Sequence, residues 1–101
     1  MKFSEKQIKL LEIFFKAVAN KRRIKILILI KEKPNLNVDE ISGIVKINYQ
    51  TGATHIQRLE KAGLIIKKYN RLSVEHEITK RGKMFVAYFG NLLNESLGKV
   101  N

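Results

Sequence analysis

A short polar stretch of the sequence carries side chains that both donate and accept hydrogen bonds. Gln50, Thr51 and Thr54 fall on one face of any helix that includes them. Glutamine can form two hydrogen bonds with an adenine edge, and threonine can donate, accept or pack against a thymine methyl group. These residue types therefore suit the reading of base edges in duplex DNA. The alternative is an ordinary helix face in contact with water.

Residues on either side of this stretch could hold DNA phosphates, contacts that position a protein without reading sequence. A basic cluster at 67–71 could meet phosphates or a minor groove, although charged residues also protect strand edges from aggregation. A basic run at 21–23 could touch the backbone or simply be solvated. The candidate backbone contacts are Asn48, Tyr49, Gln57, Arg58 and Arg22, with Lys21 and Arg23 beside Arg22; those in the cluster are Lys67, Lys68, Asn70 and Arg71.

The charge balance favours a polyanionic partner. The chain has 20 Lys and Arg against nine Asp and Glu, a net charge of +11. Residues 46–83 hold nine of these cations and three of the anions, so this region carries 9 − 3 = +6. Such an excess favours nucleic acid first and an anionic membrane surface second. A membrane surface needs one helix with a basic face opposite an apolar one, whereas these cations are dispersed. We therefore expect double-stranded DNA as the partner, and no membrane.

Composition argues against several classes of site. The 101 residues fit one domain, expected to span 1–101, and 45% hydrophobic residues indicate a globular chain. The absence of cysteine excludes thiolate zinc sites and thiol nucleophiles. No acid and base pair, phosphate loop or metal cluster stands at usable spacing, so we expect no enzyme, no cofactor and no metal. The N-terminus lacks the pattern of a signal peptide, and we expect a cytoplasmic protein that is nucleoid-associated when bound to DNA.

Neither histidine has the surroundings of a metal ligand. His55 stands beside the core-facing position Ile56, which favours a packed or hydrogen-bonded ring. His76 lies between Glu75 and Glu77 on an expected strand, and one histidine with scattered carboxylates lacks ligand spacing.

Capping signals divide the chain into helices. Ser4 with Gln7 and Asn37 with Glu40 have the spacing of capping boxes. Asparagines at positions 20 and 48 and a threonine at position 79 can cap three more helices. Apolar residues at helical spacing follow each cap, although the run 26–30 is also compatible with a buried strand. We expect five helices. The first begins at residue 4, the second covers 21–31, and the third runs from 37 to about 46. The fourth runs from 48 to 62 with Gly63 just beyond it, and the fifth covers roughly 80–97.

Two stretches with extended patterning follow the fourth helix. Residues 64–69 and 72–78 predict two strands, with Asn70-Arg71 at the turn between them. About three residues, 46–48, join the third and fourth helices, which is the spacing of a helix-turn-helix motif. The hairpin after it would be a wing. The predicted fold is mainly α with a small β-hairpin: a winged helix-turn-helix in the order helix, helix, helix, helix, strand, strand, helix.

Three segments in this order resemble a known family. Residues 15–27 resemble the signature of ArsR-like winged-helix repressors, and residues 47–63 resemble their recognition region. Residues 78–83 are similar to the segment that closes the wing in MarR- and PadR-type proteins. The resemblance covers about residues 10–90. It implies a transcriptional repressor that binds a pseudo-palindromic DNA site as a homodimer and blocks the promoter.

The chain departs from this family at the metal-sensing sites. Residues 36–41 lack the Cys-x-Cys ligands that many members carry, and the last helix contains neither His nor Asp. Metal sensing by the known modes is therefore not expected. Gly52 stands where the family usually has valine; it either permits a close backbone approach or is tolerated at a cost of about 1 kcal/mol relative to alanine.

The first and last helices carry additional apolar residues. The first helix is apolar on two adjacent faces, which predicts either a subunit interface or a wider core. As the resemblance implies, these two helices would form the dimer, although the aromatic stripe of the last helix could also line a ligand pocket. Two other functions stay open: a DNA-coating protein with little sequence preference, and a protein-interaction module. The expected interface residues are Leu11, Phe14, Phe15, Phe85, Tyr88, Phe89 and Leu92.

Overall fold

The computed structural model describes residues 2–96 as five helices and one antiparallel hairpin. The order of elements is the predicted one. Leu97, expected at the end of the last helix, lies outside the described residues. The elements are α1 (Glu5–Val18), α2 (Lys21–Glu32), α3 (Val38–Val45), α4 (Tyr49–Lys61), β1 (Ile65–Tyr69), β2 (Val74–Ile78) and α5 (Lys80–Ser96).

Side-chain caps begin the helices as predicted. The Ser4 hydroxyl accepts from the Gln7 backbone N–H (3.1 Å), and the Gln7 side-chain oxygen accepts from the Ser4 backbone N–H (2.8 Å). Asn37 and Glu40 form the same reciprocal pair. The Asn20 side chain accepts from two backbone N–H groups at the start of α2, and the run 26–30 is helical rather than a strand. Each cap satisfies donors that the first helical turn leaves free.

Helix α2 supplies the centre of the core. Ile26, Leu27 and Ile30 lie on one face of the helix and are fully buried. Helices α3 and α4 both pack against α2, so the two helices of the helix-turn-helix share one apolar support. The other buried apolar residues of this core are Ala17, Val18, Ile41, Ile56, Leu59, Ala62, Leu64 and Ile65.

The connection between α3 and α4 is the tight turn predicted for a helix-turn-helix. Lys46 adopts a left-handed conformation (φ 61°), and the Ile47 backbone N–H donates to the Ser42 carbonyl oxygen (3.0 Å). Gly52 of α4 comes so close to α3 that a Cβ atom there would lie 2.0 Å from Ser42 Oγ. Of the two interpretations of Gly52, the close approach is therefore confirmed.

The hairpin differs from the prediction in its turn. Tyr69 pairs with Val74, so four residues form the turn where two were expected, and β2 begins at Val74 instead of at residue 72. The Asn70 side-chain oxygen accepts from the backbone N–H groups of Leu72 and Ser73 (3.0 and 2.9 Å). This local bonding stabilises a wider turn without the glycine that a tight two-residue hairpin favours.

The substitution Gly52→Ala tests the close approach of α3 and α4. We expect the free energy of unfolding to fall by about 1–3 kcal/mol, because the added methyl group overpacks against Ser42. In a Ser42→Ala background the nearest remaining obstacle is the Cβ atom at 3.1 Å, so the loss should be smaller. Urea unfolding measures the loss caused by Gly52→Ala in the wild-type protein and in the Ser42→Ala background. Equal losses in the two backgrounds would contradict a contact between positions 52 and 42.

Gly43→Ala is the matched control for that experiment. Gly43 also lies in a helix of the motif, but a Cβ atom there would meet nothing within 4 Å. Alanine should therefore raise the free energy of unfolding by up to about 1 kcal/mol, since it is the better helix former.

Candidate nucleic-acid interface

The first turns of α4 present polar side chains to solvent. Gln50 and Thr54 are exposed and Thr51 is half-buried. The Thr54 hydroxyl donates to the Gln50 carbonyl oxygen (3.0 Å), which leaves the oxygen lone pairs and the methyl group of Thr54 for other contacts. On the opposite face, Ile56 and Leu59 anchor the helix in the core. The three residues predicted to read bases thus lie together at the N-terminal end of a firmly packed helix.

The predicted backbone contacts lie at the ends of two helices. Tyr49, Gln57 and Arg58 are exposed on α4, and Arg22 is exposed in the first turn of α2. Asn48 is exposed as well, but its side-chain oxygen accepts a backbone N–H that begins α4 (2.8 Å). Only the amide hydrogens of Asn48 are therefore free to donate to a phosphate.

A basic cleft continues from the C-terminal part of α4, and our sequence prediction includes neither Lys16 nor Lys61 among its cations. Arg58 and Lys61 line the cleft from α4, and Lys16 lines it from α1. Within residues 2–96, Arg58 and Lys61 have no carboxylate at ion-pairing distance. The helical spacing of positions 54, 58 and 61 was the signal that could have extended the predicted interface to Lys61.

The wing, residues 65–78, contains the predicted cations, and two of them are paired within the chain. Lys67 Nζ lies 3.5 Å from a carboxylate oxygen of Glu60 in α4, and Lys68 Nζ lies 3.0 Å from one of Glu77. Partly exposed ion pairs of this kind contribute little and are screened by salt. Both lysines can therefore exchange a carboxylate for a phosphate at small cost.

The tip of the wing, residues 70–73, differs from the strands in that its cation is not in an ion pair within residues 2–96. Asn70 holds the turn together through its side-chain oxygen, and its amide group donates to Glu75. Arg71 is exposed beside Leu72, whose side chain is 97% exposed. The exposed groups of the turn thus include one guanidinium and one isobutyl group, and the latter is absent from the sequence-based prediction.

Arg23 is buried and unavailable to DNA. Its Nε donates to the Ala17 carbonyl oxygen (2.7 Å) and its Nη2 to that of Lys16 (3.3 Å), so the guanidinium caps the end of α1. Nη1 lies 3.1 Å from His55 Nδ1 in α4. The expectation that Arg23 could contact the DNA backbone is therefore wrong. Burial, followed by the charge of Arg58, lowers the pKa of Arg23.

His55 is a hydrogen-bonded structural residue, as predicted. Because arginine can only donate, His55 Nδ1 must accept, which requires a ring without a proton on that nitrogen. Burial lowers the pKa of His55, and Arg23, Arg22 and Arg58 lower it further. The folded protein therefore favours the neutral ring.

Stability should depend on pH through His55. The unfolded chain protonates this histidine near its usual pKa of about 6.5, whereas the folded protein resists protonation. The unfolded state therefore binds more protons, and the free energy of unfolding falls as the pH decreases from about 7.5 toward the lowered pKa of the folded state. In His55→Asn, an amide oxygen can replace the accepting nitrogen and cannot titrate, so the decrease should be smaller. Urea unfolding at several pH values measures both; parallel profiles would contradict this role.

His76 is fully buried on the inner face of the hairpin. Its Nδ1 lies 2.8 Å from the Leu36 carbonyl oxygen, which joins β2 to the segment before α3. In the described part of the chain, no group of three or more His, Cys, Asp or Glu side chains could hold a metal ion. The carboxylates beside His76 in sequence lie on the other face of the hairpin, because successive strand residues alternate.

Helices α1 and α5 form an apolar surface that the rest of residues 2–96 leaves uncovered. The Phe15 ring meets the rings of Phe85 and Tyr88 edge to face, with centroids 5.5 and 6.5 Å apart. Part of α1 joins the core, where Ala17 and Val18 are buried, while Phe15 packs on α5 and stays exposed. Of the predicted interface residues, the half-buried ones are Phe14, Phe85 and Phe89, and the exposed ones are Leu11, Phe15, Tyr88 and Leu92.

Comparison with known proteins identifies the class of this fold. Residues 20–66, from the cap of α2 into β1, match the family model described as winged helix-turn-helix DNA-binding. The chain has the winged helix-turn-helix fold. The matched family is one of DNA-binding domains and not of enzymes, as expected. No curated protein matches the sequence. None of the helices in residues 2–96 is long and apolar enough to cross a membrane.

Solved structures share the fold of this winged helix-turn-helix protein over nearly its whole length. Rv0081 of M. tuberculosis is 25% identical with a TM-score of 0.81, over 93% of this chain and 95% of that one. Mb0332 from Mycobacterium bovis is a homodimeric winged helix-turn-helix domain and a possible ArsR-family transcriptional regulator. It is 20% identical with a TM-score of 0.81, over 95% of this chain and 93% of that one. HlyU from Vibrio cholerae is 23% identical with a TM-score of 0.73, over 94% of this chain and 96% of that one. The predicted fold is confirmed.

Proposed function

We propose that this winged helix-turn-helix protein is a sequence-specific regulator of transcription that binds double-stranded DNA as a homodimer. Helix α4 enters the major groove and the wing meets the backbone or the minor groove. The observation that carries the proposal is the exposed, hydrogen-bonding start of α4, together with the exposed cations of the wing. Residues 1–101 act as one domain, and a bound dimer represses by covering promoter DNA. Such a protein would be cytoplasmic and associated with the nucleoid when bound.

The geometry of α4 supports base readout by its first two turns. In helix-turn-helix proteins the N-terminal residues of the second helix contact base edges. Gln50 and Thr54 occupy this position and are exposed, and Thr51 lies between them. Glutamine recognises adenine through two hydrogen bonds, and the Thr54 methyl group suits a neighbouring thymine. We therefore assign base readout to these three residues.

Contacts to the DNA backbone account for the charge of the chain. The flanking positions Asn48, Tyr49, Gln57 and Arg58 and the start of α2 at Arg22 would hold phosphates along one strand. The wing contributes Lys67, Lys68, Asn70 and Arg71. A net charge of +11 also gives a strong component of binding that is independent of sequence and falls steeply with salt.

The uncovered surface of α1 and α5 supports self-association. Large apolar residues exposed side by side on two helices mark an interaction surface more often than an ordinary monomer surface. Mb0332, which has the same fold, is described as homodimeric. A symmetric dimer through Leu11, Phe15, Tyr88 and Leu92 would bury these side chains and place two α4 helices on successive major grooves.

Selection from a randomised duplex pool tests sequence-specific binding. We expect enrichment of an inverted repeat whose half-sites lie about one helical turn apart. Gln50→Ala and Thr54→Ala should each lose about 1–3 kcal/mol of discrimination at one position of the half-site. Enrichment that survives both substitutions unchanged would contradict the assignment of these residues.

Arg71→Ala is the matched control for base readout. Loss of a phosphate contact should weaken binding to enriched and unenriched DNA alike and reduce the salt slope by about 1. Tight binding without any enrichment would instead favour a DNA-coating protein. Absence of binding at low salt would exclude both DNA functions and leave a protein-interaction module.

Leu92→Glu should separate the dimer into monomers. The carboxylate would have to be buried in an apolar interface without a partner, which is strongly unfavourable. Ala87→Glu is the control, because Ala87 is exposed on the same helix, away from the aromatic stripe, and the change in charge is identical. Sedimentation equilibrium measures the mass of each variant. A dimeric Leu92→Glu protein, or a monomeric wild type, would contradict this interface.

A further inference from the structure

The basic cleft between α1 and α4 also has an apolar wall. The cleft has a volume of about 210 Å³ and is lined from both helices. Ile13 of α1 is 45% exposed there, and two small residues, Ala17 and Ala62, complete the wall. Leu11, which belongs to the surface that we assign to self-association, lies about 200° away around the same helix. The cleft is therefore separate from that surface.

The rest of the cleft is cationic. Glu12 lies 3.5 Å from Lys16 Nζ, in an exposed pair of a kind that water and salt screen. In the part of the chain that the structure describes, no other carboxylate lies at ion-pairing distance from the cations of the cleft. These cations, three of them exposed and one buried, are Lys16, Arg58, Lys61 and Arg23.

The unbalanced positive charge also acts on the residue next to the cleft. Burial lowers the pKa of His55, and the charges of three arginines lower it further. Two of these arginines, Arg23 and Arg58, line the cleft. Like charges that lie close together raise the free energy of the folded protein. An anion in the cleft would offset part of this repulsion.

The two kinds of wall together favour an anion that has an apolar part. Arg58 and Lys61 are three residues apart on α4, so their side chains are neighbours on one face of the helix. A carboxylate can form charge-assisted hydrogen bonds with both, while a hydrocarbon chain attached to it covers Ile13. A phosphate of DNA would use the cations but gain nothing from the apolar wall. We propose that the basic cleft is a binding site for a small organic anion, a carboxylate on a short apolar chain.

Occupation of the cleft would lower the affinity of the protein for DNA. Arg58 is also a proposed phosphate contact, so a carboxylate bound to it competes with the phosphate. The bound anion also cancels part of the positive charge that attracts DNA. This consequence rests on the proposed function, whereas the anion site itself does not.

Methyl NMR of the full chain without DNA tests the site, with hexanoate as the probe. Acetate at the same concentration has the charge without the chain, and 1-hexanol has the chain without the charge. We expect hexanoate to shift the methyl signals of Ala17 and Ala62 saturably. Acetate and 1-hexanol should each bind at least about tenfold more weakly, a difference of 1.4 kcal/mol, because each lacks one of the two contacts. No saturable shift, or equal binding of either control compound, would overturn the site.

Two substitutions place the anion in the cleft. Ile13→Gln removes the apolar wall and keeps every cation, and glutamine is a good helix former. Lys61→Glu reverses one charge of the cleft. Lys31→Glu is its matched control, because Lys31 is exposed near the other end of α2 from Arg23 and the change in charge is identical.

Each cleft variant should weaken hexanoate binding at least about tenfold, whereas Lys31→Glu should keep the wild-type affinity. Either cleft variant is sufficient if the other fails to fold. Wild-type affinity in a folded cleft variant, or an equal loss in Lys31→Glu and Lys61→Glu, would overturn the site.

DNA titrations separate this site from the proposed function. Binding to the enriched duplex should be weaker in hexanoate than in an equal concentration of acetate, and the difference should disappear in Ile13→Gln. Saturable hexanoate binding with equal DNA affinity in the two salts would overturn the link to DNA alone. Equal binding of hexanoate and acetate, with DNA affinity lower in Lys61→Glu than in Lys31→Glu, would overturn the site and assign the cleft to the DNA backbone. Failure to bind any DNA would overturn the proposed function and leave the NMR result on the cleft standing.

Discussion

One buried guanidinium connects three helices of this molecule, α1, α2 and α4. Arg23 lies in the first turn of α2, caps the last carbonyl groups of α1 and reaches His55 in α4. Helix α1, which carries much of the uncovered apolar surface, is thereby fixed to α4, whose polar first turns are exposed. Removing one partner of a buried charged network leaves the other without compensation, which is expensive. The angle between α1 and α4, and with it the spacing of two α4 helices in any dimer, depends on this contact.

Most of the fold follows from short-range signals in the sequence. Caps at Ser4, Asn20, Asn37 and Asn48 begin helices where local hydrogen bonding favours them, and apolar periodicity places the core. The predicted length of the hairpin turn was wrong because this length depends on how the Asn70 side chain forms hydrogen bonds within the loop. A residue type alone does not determine that choice.

The candidate site could be predicted only in part, because burial is decided by tertiary packing. Arg22 and Arg23 are adjacent and chemically alike, yet one is exposed and the other lies under α1. The alternation of the second strand did contain a usable signal. Val74, His76 and Ile78 share one face, and two apolar neighbours indicate that the histidine between them points inward. The pairing of Lys67 with Glu60 joins residues from two elements, and sequence spacing does not reveal it.

The packing of α4 divides its residues into those that hold the helix and those that meet solvent. Gly52, Ile56 and Leu59 are buried, whereas Gln50 and Thr54 are exposed. Substitutions at exposed positions usually change stability by less than about 0.5 kcal/mol. Under the proposed function, mutations at positions 50 and 54 could accumulate without unfolding the domain. A duplicated copy of this gene could then acquire a different DNA target in few evolutionary steps, while the close approach of Ser42 disfavours any larger residue at position 52.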